Sequence, residues 1–195
     1  MEILKGLKIG YALTGSFCTF DETFKLMEKL IELGSEIFPI ISSSVQTIRN
    51  RFIVPEKTIE FLQSKTKNPI IKTIEGAESI GPKNILDILL VAPCTSNTLG
   101  KFSNGINDTP VTMAMKSFLR CQNKPLVIAL SSNDALGLTL QNISKLLNTK
   151  NIYFAPMKQD DIVKKPNSLV ADYSKIIETI EYALKQTQIR PIITI

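Results

Sequence analysis

The sequence predicts a three-layer α/β domain built on a mostly parallel sheet, and three observations carry that expectation. Short apolar runs alternate with amphipathic stretches from one end of the chain to the other. The run Leu86–Ala92 (LDILLVA) is apolar almost throughout, as a strand buried on both faces of a parallel sheet must be. Four of the runs end in clusters of small hydroxyl and amide residues, the chemistry expected where strands of such a sheet open onto a ligand. Right-handed crossovers then place helices on both faces. The 195 residues, 44% of them hydrophobic, are enough for one domain over 1–195 with a core of its own. No internal repeat and no interdomain linker interrupts them.

Taken in order, Leu7–Leu13 is an apolar run that stops at Thr14-Gly15-Ser16, the pattern of a strand entering a tight turn. Thr19 and Glu22, three residues apart, make a capping-box pair at a helix start. Phe20, Phe24, Met27 and Leu30 or Ile31 fall on one helical face, and Gly34 supplies the stop. Glu36–Ile41 is a second strand, ending in Ser42-Ser43-Ser44. Pro55–Thr66 reads as a helix with Ile59 and Leu62 inward. Residues 67–85 contain the breakers Pro69, Gly76, Gly81 and Pro82, with a short strand expected at 70–74. After the strand Leu86–Ala92 come helices over about 96–104 and 109–120, a strand at Pro125–Leu130, a helix around 139–148 and a strand at 151–155. Residues 156–168 are polar and bounded by proline, which predicts a surface loop. The last helix is expected over about 169–186, with Leu169, Tyr173, Ile176, Ile180 and Leu184 along one side.

Composition removes whole mechanisms. The chain has no histidine, so it holds no Ser-His-Asp triad, no Cys-His dyad and no histidine general base. Zinc and non-haem iron lose their commonest ligand. Cys18, Cys94 and Cys121 are far apart with no Cys-x-x-Cys pair, so no metal site is expected and the thiols read as reduced and cytoplasmic. The N-terminal segment lacks a basic region followed by a cleavage site, and no apolar run approaches a membrane span. The net charge of +5 is modest and dispersed. It suits a small anionic ligand and disfavours a nucleic-acid binder, which concentrates Lys and Arg among aromatics.

The four strand ends supply the candidate chemistry. Thr14-Gly15-Ser16 precedes a helix, where a glycine admits close approach and hydroxyls with helix N–H groups suit phosphate. It matches neither G-x-x-x-x-G-K-[ST] nor G-x-G-x-x-G, and a plain capped turn is the competing reading. Ser42-Ser43-Ser44 either contacts a ligand or satisfies loop backbone. Pro93-Cys94-Thr95-Ser96-Asn97-Thr98 carries more small polar residues than a turn needs, enough to donate to a phosphate or a heterocycle. Cys94 has no base partner and reads as a buried, inert thiol; Asp108 before Thr109-Pro110 reads as a helix cap. In Ser131-Ser132-Asn133-Asp134, with Asn142 following, Asp134 is the candidate general base or else a capping carboxylate. The loop from Gln159 to Ser168 carries Lys164 and Lys165, a pair suited to a dicarboxylate if it lies beside the pocket.

These residues carry a resemblance. The segment PCTSNTLGKFSNGINDTPVTMAMKSFLR (93–120) resembles the P-x-S-x-N-T segment of the flavoprotein family, which includes flavin-containing cysteine decarboxylases and flavin prenyltransferases. TGS at 14–16 is similar to that family's first phosphate loop, and Asn133 with Asn142 resembles its substrate-contacting Asn stretch in spacing. Ser-Ser-Asn-Asp stands where the family usually has Pro-Ala-Met-Asn. The pieces TGSFCT, VQT, SNDALGL, NTKNIYF and QDD…KKPNS, in order and nearly end to end, resemble the branch of dipicolinate synthase B subunits from spore-forming bacteria.

The resemblance implies a Rossmann-like α/β/α domain that binds FMN, commonly at a subunit interface in a trimer or a multiple of it. By position, Thr14, Gly15, Ser16, Ser42 and Ser44 would surround the flavin and its phosphate. Thr95, Ser96, Asn97 and Thr98 would hold the phosphate or ring. Asn133 and Asp134 would face the substrate, together with Asn142, Lys164, Lys165 and Asn167. It further implies a partner A subunit expected to bind NAD(P), a small dicarboxylate substrate, and the oxidation of dihydrodipicolinate to dipicolinate in the mother-cell cytoplasm during sporulation. The decarboxylase branch works with an active-site histidine, and this chain has none. An FMN-dependent cysteine-type decarboxylase and a non-catalytic flavin-binding scaffold are the alternative readings.

Overall fold

The computed structural model describes residues 2–120 and 123–194; Cys121 lies outside the described residues. Seven strands form one sheet: β1 (Lys8–Leu13), β2 (Glu36–Ile41), β3 (Ile88–Cys94), β4 (Leu126–Ser132), β5 (Ile152–Phe154), β6 (Met157–Lys158) and β7 (Leu169–Ala171). The order β2-β1-β3-β4 is parallel throughout. The first half of β4 pairs with β5 in parallel, Leu126–Ile128 against Ile152–Phe154. Its last two residues, Ser131 and Ser132, pair instead with β7, which runs antiparallel. β6 pairs antiparallel with the outer side of β7.

Helices cover both faces. They are α1 (Phe20–Glu32), α2 (Ser43–Thr47), α3 (Pro55–Lys65), α4 (Ile74–Glu78), α5 (Ile80–Lys83), α6 (Ser96–Ser103), α7 (Pro110–Leu119), α8 (Thr139–Leu147) and α9 (Ile176–Leu184). The strand period of two divides the core between them. Ile88, Leu90, Val127 and Ala129 pack with Met27, Leu30, Leu62 and Ile180 of α1, α3 and α9 on one face. Leu89, Val91, Leu126 and Ile128 pack with Leu99, Met115, Phe118 and Ile143 of α6, α7 and α8 on the other. Every residue of β3 and β4 is buried, which is why their sequences read as continuous apolar runs.

Four local expectations change. Thr19 and Glu22 form no capping box: Thr19 closes a short 3-10 turn over Phe17–Thr19, with φ −101° and ψ 5°. That backbone is not the extended one a cap requires, and the Thr19 hydroxyl donates to the Ser16 carbonyl at 2.9 Å instead. The strand expected at 70–74 shrinks to one bridge between Ile71 and Ile40. Thr73 then caps α4, its hydroxyl accepting from the Gly76 N–H at 3.1 Å, and turns the chain into helix. The loop at 156–168 begins with β6, so residues 159–168 are the connection of a β-hairpin. The final helix starts at Ile176, because Leu169–Ala171 alternate as strand β7 and Asp172 accepts from the Ser174 N–H to start a 3-10 turn. No described helix is long and apolar enough to cross a membrane.

Candidate functional site

The parallel order brings the carboxyl ends of β1, β2, β3 and β4 to one edge of the sheet, so the four polar clusters meet there. Thr14 leaves β1 buried, and its hydroxyl works in both directions. It donates to the Pro93 carbonyl at 2.7 Å and accepts from the Thr95 N–H at 3.0 Å. Thr14 therefore clamps the end of β1 to the end of β3. Next to it, a Cβ on Gly15 would lie 3.3 Å from Ser44 Cβ and 3.5 Å from the Phe17 ring. Glycine at this place keeps a cradle open between the β1 turn and α2.

Ser42 is buried and caps α2, accepting from the Val45 N–H at 3.4 Å. Ser44, two residues on and half-buried, is a separate case: its hydroxyl has no hydrogen-bond partner among the described residues and faces the Gly15 cradle. Ser16 reaches across the sheet edge, its Oγ 2.7 Å from Ser131 Oγ at the end of β4. Read from the sequence, Ser131 belongs to the cluster after the strand and has no role of its own, whereas it is a residue of β4 itself. The period of two in β4 is the signal that finds it. Behind this pair, the buried Tyr173 hydroxyl bonds Thr23 Oγ1 at 2.9 Å and Thr19 Oγ1 at 3.5 Å, which braces the turn that carries Ser16. Burial pushes the Tyr173 phenol up to about 12, against the lowering effect of those two hydrogen bonds.

Thr95 caps α6: its Oγ1 accepts from the Thr98 N–H at 3.2 Å and donates to Thr98 Oγ1 at 3.0 Å. The N–H groups of Ser96 and Asn97 have no acceptor among the described residues, as expected in the first turn of a helix. Their side chains are likewise unbonded, Ser96 half-buried and Asn97 exposed. This is an anion-ready helix start beside the Gly15 cradle. Cys94, immediately before it, is fully buried, and burial pushes its thiol up to about 12. Asp108 pairs with Lys101 at 2.8 Å, which holds its carboxyl below the usual range, while Thr109 is the cap of α7.

At the end of β4 the Ser132 hydroxyl accepts from the Asp134 N–H at 3.1 Å. Asn133 and Asp134 are exposed. The Asp134 carboxylate accepts from Thr139 Oγ1 at 3.5 Å and lies directly over Gly137, where a Cβ would collide with its Oδ1. Asn142 is spent elsewhere: its Oδ1 accepts from Ser103 Oγ at 2.6 Å and ties α8 to α6.

The hairpin connection is ordered by its own polar groups. Asp161 Oδ1 accepts from the N–H groups of Val163 and Lys164 at 3.1 and 2.8 Å. Asp160 pairs with Lys165 at 2.7 Å and accepts from Ser168 Oγ, and both contacts hold its carboxyl below the usual range. The Asn167 carbonyl accepts from the Leu136 N–H at 2.9 Å, which seats this hairpin against the Asn133–Asp134 segment. Lys164 and Asn167 keep exposed, unbonded side chains, whereas Lys165 is occupied by Asp160.

Comparison with known proteins shows the family and the fold. The chain is 42% identical over 193 residues to the B subunit of dipicolinate synthase from Bacillus subtilis, covering 99% of this chain and 96% of that one. A crystal structure of the corresponding B subunit from Bacillus halodurans C superposes with a TM-score of 0.89 at 43% identity, covering 98% of each chain. The FMN-dependent cysteine decarboxylase SpaF shares the fold at a TM-score of 0.63 and 19% identity, over 95% of this chain and 98% of that one. The profile of the family described as Flavoprotein matches residues 2–185. The chain belongs to the Flavoprotein family.

Proposed function

We propose that this chain is the B subunit of a dipicolinate synthase, which acts with an A subunit to oxidise dihydrodipicolinate to dipicolinate with FMN at the strand ends. The observation that carries this reading is the 42% identity to the Bacillus subtilis protein over nearly the whole of both chains. The site fits the cofactor on its own terms. The free N–H groups of Ser96 and Asn97 and the unbonded Ser44 hydroxyl suit a phosphate, and Gly15 leaves the space that a side chain would fill. FMN, when bound, supplies the capacity to accept two electrons.

The chain's own groups do the rest. Thr14, Ser42, Thr95 and Thr98 hold the three turns in register, and Ser16 with Ser131 joins the β1 and β4 ends. Forming an aromatic ring from a dihydro ring removes two electrons and two protons: one hydrogen leaves with the electron pair, and the other leaves as a proton. Asp134, or water beside it, takes that proton at a carboxylate oxygen, in a chain that offers no histidine. Lys164, Asn167 and Asn133 present free donors to the substrate carboxylates. The exposed apolar side chains Leu138, Leu140, Ile162 and Val163 beside these donors support a homo-oligomer. The reading places the protein in the cytoplasm of a sporulating mother cell, without a nucleic-acid or membrane role.

Two measurements test it. Purified protein, alone or after titration with FMN, is expected to show flavin absorbance. The complex with the A subunit is expected to form dipicolinate only when flavin is present. Activity that is unchanged in a flavin-free complex overturns the role of FMN. A Gly137→Ala variant is a finer probe of Asp134. Its added methyl collides with the carboxylate, so the side chain must swing away. We expect dipicolinate formation to fall about 10- to 100-fold with FMN affinity within about twofold of the parent. Unchanged turnover would remove Asp134 from the proton path.

A further inference from the structure

Between α1, the segment 50–54 and α3 lies a recess of about 220 Å³ that the FMN reading leaves unused. Phe24, Phe52 and Phe61 give it aromatic walls, and Arg51, Lys57 and Thr58 supply the polar groups. The Phe24 and Phe61 rings lie 4.4 Å apart between centroids. The Arg51 guanidinium sits 4.5 Å over the Phe52 ring and has no carboxylate partner among the described residues. Lys57 is exposed and has none either. Glu56, the acid beside it, is already held by Arg49 at 2.8 Å.

Two further features point to an anion. α3 begins after Val54, which offers no capping side chain, and Pro55 has no N–H. The N–H groups of Glu56 and Lys57 are therefore left without an acceptor among the described residues. Thr58 is only 4% exposed, yet it lines the recess and its hydroxyl bonds no described residue. The residue is buried but its hydroxyl oxygen reaches the recess surface, so a donor or acceptor for a ligand is available there without a competing protein partner.

We propose that this recess is a binding site for a small flat aromatic carboxylate, separate from the FMN cradle. The ring stacks among the phenylalanines in offset or edge-on contact. The carboxylate takes a forked pair of hydrogen bonds from Arg51 and a third from Thr58. A volume below the roughly 300–1,000 Å³ of drug-sized sites limits the ligand to about one ring. A free inorganic anion would use the cations and leave three rings idle, so the aromatic part is as specific as the charge. Phe17 and Phe20 continue the ring series from Phe24 in 5.4 Å steps back to the Gly15 turn, so packed rings connect the recess to that turn.

The test uses the full chain with benzoate and pyridine-2,6-dicarboxylate as probes, read by calorimetry and by the aromatic proton resonances of the phenylalanines. Both probes are expected to bind and to shift the Phe24, Phe52 and Phe61 signals. Arg51→Gln, and independently Thr58→Val, should weaken them, the former roughly tenfold or more. Asn97→Asp, which lies at the strand ends, should leave them bound. Inorganic phosphate should not displace them. The proposal is overturned by the absence of binding, by affinity that Arg51→Gln leaves intact, or by displacement with phosphate alone. FMN titration of the same variants reads the strand-end site separately, so either site can fail without the other.

Discussion

Replacing Thr14 by valine is expected to destabilise the protein by about 2–4 kcal/mol and to loosen the cofactor site in the same stroke. Valine fills the same volume, so no cavity forms and packing is preserved. What disappears is one hydroxyl that serves two backbone groups, donating to the Pro93 carbonyl at 2.7 Å and accepting from the Thr95 N–H at 3.0 Å. The Pro93 carbonyl lies at the buried end of β3, where water does not replace the lost partner, and the Thr95 N–H follows on a half-buried residue, where water replaces it in part. Each orphaned group costs about 1–3 kcal/mol. For a chain of this length that loss corresponds to a melting temperature lower by about 5–15 °C. The Thr95 amide also opens the segment that leads into α6, so FMN binding should weaken alongside the fold. Thr14→Ser keeps the hydroxyl and should recover most of both. A melting temperature within about 1 °C of the parent in Thr14→Val would show that the clamp carries no energy.

Thr14 also shows where reading the sequence stops. That a hydroxyl belongs at the end of β1 is legible, because the apolar run ends there and a turn must follow. Whether that hydroxyl meets a ligand or the neighbouring strand depends on β3, 79 residues away. The same limit separates the two serines at α2: Ser42 spends its oxygen on the Val45 N–H, and Ser44, two residues on, faces the Gly15 cradle. Asn142 matches the family's spacing, yet its carbonyl is taken by Ser103 of α6. Spacing along one chain cannot report a partner contributed by another helix.

The sheet was more legible than its edge. β1 to β5 are strong signals because burial on both faces demands continuous apolarity, whereas the crossover rule places helices on both faces without giving the order of the strands. β6 and β7 are short strands of two and three residues, and only the end of β4 gives β7 its partner. Leu169-Val170-Ala171 satisfies the strand period and the helical one equally over three residues. The antiparallel pairing with Ser131 and Ser132 decides between them. That pairing has a functional consequence, since it brings the Asp160–Ser168 turn against Leu136 and beside Asp134. The absence of histidine bears on the same place. It leaves a carboxylate as the titratable side chain at the end of β4, in a fold that relatives such as SpaF use as FMN-dependent cysteine decarboxylases.

The sharpest test of the phosphate position is Asn97→Asp, because fold and cofactor binding should move in opposite directions. Asn97 is the second residue of α6, exposed and unbonded, and aspartate matches its shape. A negative charge in the first turn of a helix is favourable, by about 0.3–1 kcal/mol, so the melting temperature should hold or rise slightly. The same charge sits where the free N–H groups of Ser96 and Asn97 are proposed to meet the FMN phosphate. Two unit charges about 4 Å apart near a protein surface repel by about 4 kcal/mol. Allowing for solvent screening at an exposed side chain, FMN affinity should fall about 100-fold or more. Added salt should restore part of it, since screening weakens repulsion. Riboflavin, which has the ring system and no phosphate, should bind parent and variant alike. That contrast isolates the phosphate: equal loss for both flavins would place the damage at the ring, and unchanged FMN affinity would place the phosphate away from α6.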